Sequence, residues 1–167
     1  GLKLIEGQQA TFVVMYNDGA AGPEIDVSAQ ATLTFAAQDA TFTVAGNTVT
    51  LNTVTSGLNT QALMGATATI SGTVFNAPVV SWTAIKRIVT GIEVVGSGSV
   101  AAGAQQQYTI NATYNDGATG PVTSTAWTAD ANIGTIDTSG LFTAVTGPTV
   151  ESGNVSVDVT SADGTRS

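Results

Sequence analysis

Cysteine and histidine are both missing from the 167 residues. The chain therefore has no disulfide framework, no thiolate or imidazole metal ligand, and neither a Ser-His-Asp nor a Cys-His nucleophile system. Cations are almost as scarce, since Lys3, Lys86, Arg87 and Arg166 stand against twelve acids for a net charge of −8. Nucleic acids and anionic membranes both demand a basic footprint, so this balance argues against either as a partner. No apolar run approaches the ~20 residues of a membrane-spanning helix, and no membrane insertion is expected. The acids are scattered, and carboxylates such as Asp130 and Asp137 show no framework for paired acid–base work. No GxSxG elbow occurs, and GSGSVAAG at Gly96–Gly103 breaks the phosphate-loop spacing at Ala101. These absences point to a protein that is not an enzyme and carries no cofactor.

What is present is a repeat. YNDGAAGP at Tyr16–Pro23 and YNDGATGP at Tyr114–Pro121 differ at one position in eight and lie 98 residues apart. Duplication of a module explains such an echo better than two copies of a chemical site, and the spacing divides the chain near residue 87. Before each echo, residues 10, 12, 14 and 16 read Ala, Phe, Val, Tyr, and 108, 110, 112 and 114 read Tyr, Ile, Ala, Tyr. This period of two is that of a half-buried strand. Asn-Asp-Gly then ends it, because Asp-Gly supplies the positive φ of a tight turn. Further strands are expected at about 123–128, 134–137, 141–145 and 154–161, and over Ala66–Phe75 in the first copy. No segment has sustained helical periodicity, so each module reads as an antiparallel β-sandwich.

The order of elements in the second copy carries a family resemblance: an opening strand before a Gly-containing loop, Tyr114-Asn-Asp-Gly117, Trp127 in STAWTAD, Ile136–Gly140, and a valine-rich last strand. In this it resembles the bacterial immunoglobulin-like domains of the BIG group, most of all the second type. The resemblance covers residues 88–167 well and 1–85 more loosely. It implies an all-β chain of two tandem immunoglobulin-like antiparallel sandwiches, 1–87 and 88–167. The first is divergent, with a short opening strand, since only GLKLIE precedes Gly7, and a strand missing or supplied by a neighbour is one reading of it.

Tyr16, Phe35, Tyr114 and Trp127 are the expected structural core, with Phe35 taking the place of Trp127 in the first module. Trp82, which has no counterpart in the second copy, is read as core or interdomain packing, with contact to a partner as the alternative. Asp18 and Asp116 sit at equivalent turns and read as solvated turn residues; calcium at either is the minority reading, because no D-x-D-x-D series surrounds them. No other metal site is expected. By resemblance the job is non-catalytic: a structural module of a phage virion (tail or capsid decoration) or of a bacterial surface stalk or filament. Its partners would be copies of itself or other structural subunits, and its place extracellular, on a virion or cell surface. The alternative is an adhesin that binds a ligand or a host surface glycan.

Overall fold

The computed structural model describes every residue except Asp18, Ala20, Ala21 and Thr125. Alternation of small apolar and hydroxyl residues is expressed throughout as short strands; among the described residues the sole helical element is a 3-10 turn, Ser28–Gln30. The chain divides into two units, Gly1–Arg87 and Ile88–Ser167.

Among the described residues the first unit has ten strands: β1 (Leu2–Ile5), β2 (Gln9–Thr11), β3 (Met15–Tyr16), β4 (Ile25–Asp26), β5 (Ala31–Ala37), β6 (Ala40–Ala45), β7 (Thr48–Val54), β8 (Asn59–Ile70), β9 (Thr73–Asn76) and β10 (Val80–Ile85). β8 is the longest. One of its edges pairs with β5; the other is shared by β10, opposite Asn59–Met64, and β9, opposite Thr67–Ile70. All three pairings are antiparallel, and β1 then adds to β10 in parallel. A second sheet, β2-β7-β6, and the β3–β4 ribbon complete the unit. Alternate residues of β8 and β10 point inward, so Ala62, Trp82 and Ala84 join Leu4, Leu51 and Val54 in one core cluster. The Trp82 ring meets Phe35 edge-on at 5.9 Å and Phe42 at 5.1 Å. Its Nε1–H has no hydrogen-bond partner. Apolar burial of the ring, against the cost of an orphaned donor, therefore holds Trp82 in place. Phe12 and Val14 pack on a neighbouring cluster of Leu33, Val49 and Ala66.

The second unit has nine strands: β11 (Val89–Val95), β12 (Gln105–Gln107), β13 (Thr109–Tyr114), β14 (Thr119–Pro121), β15 (Ala126–Ala129), β16 (Gly134–Ile136), β17 (Leu141–Ala144), β18 (Val155–Ser161) and β19 (Gly164–Arg166). They form the ladders β11-β13-β14, β12-β17-β16 and β15-β18-β19. Val89, Ile110, Ala112, Val157 and Val159 make its core. With few charges available, hydroxyl pairs do the cross-strand work on the solvent faces, as in Thr41–Thr53 at 2.7 Å and Thr128–Ser156 at 2.7 Å.

Laid side by side, the two units correspond strand for strand over most of their length. β2, β7 and β6 repeat the pairing of β12, β17 and β16, and β3–β4 repeats β13–β14. Phe35 on β5 lies opposite Met64 of β8, as Trp127 on β15 lies opposite Val157 of β18. The hairpin β8–β9 turns through Ser71-Gly72, and β18–β19 turns through Ala162-Asp163, each with two residues between the paired ends.

Two expectations need correction. Ala66–Phe75 is not one strand: Ser71 (φ 50) and Gly72 (φ 82) both adopt positive φ and fold it into a hairpin, leaving Ala66 and Ala68 buried but Val74 exposed. The unit opens with the short strand β1, which pairs with β10 and buries Leu4. Finally, Trp82 is 2% exposed, so it has no surface to offer a partner.

Two substitutions test this packing. Trp82→Ala should cost the first unit about 3–5 kcal/mol, the usual loss for a buried large aromatic, read from chemical denaturation of the full chain. Gly140 holds φ +83, and an added Cβ would lie 2.6 Å from the Tyr108 carbonyl oxygen and 3.0 Å from the Trp127 ring. Gly140→Ala should therefore lower the stability of the second unit by more than ~1 kcal/mol; an unchanged unfolding midpoint would count against this geometry.

Candidate assembly surface

The described parts of the repeated octapeptide share a left-handed glycine. Gly19 and Gly117 have φ +79. In the first copy the Asn17 side chain accepts the Gly19 N–H at 2.8 Å, a local turn bond. In the second copy the Asp116 carboxylate accepts the Ala118 N–H at 3.0 Å. Asn115 also reaches the first residue of its unit: its Oδ1 accepts the Ile88 N–H at 3.1 Å and its own N–H donates to the Ile88 carbonyl at 3.0 Å. Asn115 thereby fastens the start of the unit beside β13. Asp18 lies outside the described residues. Among the described residues, no group of three or more acidic side chains is arranged to hold a metal ion.

The remaining expected core residues sit at the margins of their cores. Tyr114 and Trp127 are half-buried and pack on the second unit's cluster from outside. Phe35 is likewise half-buried, and touches Phe12, Phe42 and Trp82. Tyr16 stands at the lip of the first unit, edge-on to Phe75 at 4.9 Å, over a cavity of about 230 Å³ floored by Val14, Val27, Ala66 and Ala68.

Around Tyr16 the surface is unusually apolar. Val13 just before the β3–β4 ribbon, and Met15 and Ile25 on it, are 63%, 45% and 56% exposed. The corresponding strand of the second unit, β13, has β14 on one edge and β11 on the other. β3 has only β4, so among the described residues its other edge has no strand across from it. Sequence reasoning missed this ribbon because its alternation is regular: it marks 13 and 15 as the face opposite the core without showing that Val and Met there are left in water. Elsewhere in the unit an open depression of about 570 Å³ lies over Phe35, Phe42, Val44 and Leu63, with Gln38 and Gln61 at its rim.

The best-ordered polar site is a turn. The Asp137 carboxylate accepts bonds from the Ser139 hydroxyl at 2.7 Å, the Ser139 N–H at 2.8 Å and the Leu141 N–H at 3.0 Å. The Ser139 hydroxyl first, then the Leu141 amide, hold its pKa below the ordinary 3.8. All three donors come from its own loop, so the group shapes the entry to β17 and has no geometry for proton transfer to a substrate.

No protein-family model matches the sequence, and comparison with the curated proteins found no match.

Because the folded-state pKa of Asp137 is lowered, its contribution to stability is present above the ordinary carboxylate value and disappears as pH falls through the lowered one. Thermal unfolding of the native chain and Asp137→Asn should differ most above about pH 3.8 and converge in stronger acid. A difference that widened on acidification would reverse the assigned sign.

Proposed function

We propose that the chain is a non-catalytic assembly module, two immunoglobulin-like sandwiches in tandem that work by packing against other protein subunits. The observation that carries this is the apolar surface at the β3–β4 ribbon, where Val13 just before it and Met15 and Ile25 on it lie exposed. Lysine is confined to Lys3 and Lys86, and contiguous apolar surface of this kind marks contact sites. The matched strand order of the two units supports the immunoglobulin-like reading, and the BIG resemblance makes a virion or a bacterial surface the setting. Copies of the same chain are the first partners to test.

Sedimentation velocity over a wide concentration range tests the proposal. The native chain should associate with rising concentration, and Met15→Lys with Ile25→Lys should abolish association while leaving the β-sheet circular dichroism unchanged. A native chain that stays monomeric throughout would overturn self-assembly through this ribbon.

One observation favours a second reading, glycan binding: the depression over Phe35 and Phe42 joins apolar ring surface to the amides of Gln38 and Gln61. Saturable binding of a defined glycan, lost in the double variant Gln38→Ala, Gln61→Ala, would establish it.

A further inference from the structure

From residue 27 to residue 85 the sole charged side chain is Asp39, in a chain with twelve acids and four cations. Within that neutral stretch lies the depression of about 570 Å³, and residues from both faces of β5 line it. Ala36, Gln61 and Leu63 border it on the outer face of the β5–β8 ladder, while Phe35 and Phe42 border it from the interior side. Register sets Gln38 opposite Gln61, one step past the last ladder pair, Ala37–Ala62.

The second unit has the same two positions closed. Phe35 matches Trp127 and Met64 matches Val157, so Gln38 and Gln61 stand where Asp130 and Asn154 stand in the sister. There the pair clasps. The Asp130 N–H donates to the Asn154 carbonyl at 3.0 Å, and the Asn154 N–H donates to the Asp130 carboxylate at 2.8 Å. In the first unit neither Gln side chain has a hydrogen-bond partner among the described residues. Two neutral amides thus flank apolar surface with their donors and acceptors unused.

We infer that this depression binds an uncharged glycan through Gln38 and Gln61, an inference that rests on the glycan reading and narrows its ligand class. An amide side chain both donates and accepts, and so does a sugar hydroxyl, so neighbouring hydroxyls can satisfy both glutamines completely. A carboxylate, sulfate or phosphate only accepts, and would meet the two amide oxygens with like partial charge. Such anions are bound by Arg, Lys or clustered N–H donors, and no cation lines the depression. Along the row of Gln61 and Thr83 the next residue is Lys3, two strands from Gln61 and roughly 10 Å away. Asp39 beside Gln38 and the net charge of −8 oppose an anion further. The C–H face of a pyranose ring is apolar, and it would take Phe35, Phe42 and the exposed Leu63 out of water. Apolar lining with a few polar groups that fix orientation is the usual make-up of a small-ligand site.

The test applies the full chain to an array of immobilised oligosaccharides, with neutral hexose and N-acetylhexosamine oligomers beside uronate, sialylated and phosphorylated ones. Each retained oligosaccharide is then titrated in solution while the side-chain NH2 resonances of Gln38 and Gln61 are followed. Retention of neutral members alone is expected, with saturable shifts of both amides. The double variant Gln38→Asp, Gln61→Asn installs the sister unit's pair and should weaken that binding tenfold or more with the circular dichroism unchanged. Gln38→Ala with Gln61→Ala should do the same, and the amide shifts of the native chain locate the site without any variant. Retention of no member, or of neutral members that shift neither amide and bind both variants equally well, would overturn the glycan reading of this depression and the inference with it. Retention of anionic members, with both amides shifted and binding lost in the variants, would leave the glycan reading standing and overturn the uncharged class alone.

Discussion

Pairing of β8 on both of its edges is the constraint on which the first unit depends. Backbone groups buried along either edge of a strand must be bonded, because an unpaired buried amide costs as much as a lost hydrogen bond. β5 on one side and β9 with β10 on the other meet that demand, and their side chains then close over Ala62, Ala66 and Ala68. At Ala62 the small side chain follows from what surrounds it: Trp82, Phe35 and Phe42 fill the volume, and a larger residue there would force them apart.

The clasp that ends the unit rests on the same pairing. Glu6 follows β1, and its carboxylate accepts the N–H groups of Val54 and, at 2.9 Å, Arg87. Lys86 donates to the Val54 carbonyl at 3.1 Å. Two of the four cations thus lie where the unit closes, beside an acid that bonds backbone. In the second unit Asn115 performs the corresponding fastening without charge.

At the β3–β4 ribbon Val13 and Met15 stay in solvent. With 10% of its residues charged, the chain covers its solvent faces with hydroxyl groups in place of charge, as in the Thr41–Thr53 and Thr128–Ser156 pairs.

Much of the fold was written in local pattern. The all-β character, the antiparallel sheets and the strands of the second unit near 126–129, 134–136, 141–144 and 155–161 follow from period-two alternation cut by glycine and asparagine. The turns at Gly19 and Gly117 follow from Asp-Gly. The Ser-Gly dipeptide at 71–72 carried the same kind of signal, but regular alternation on both sides concealed the hairpin. Depth was not legible, because alternation assigns a residue to a face and says nothing of what lies over it. Trp82 and Trp127 both occupy inward positions, yet Trp82 is sealed beneath Phe35 and Phe42 while Trp127 stays half-buried against the cluster of Val157 and Val159. That difference depends on which distant strands pair. Only the tertiary structure decides it.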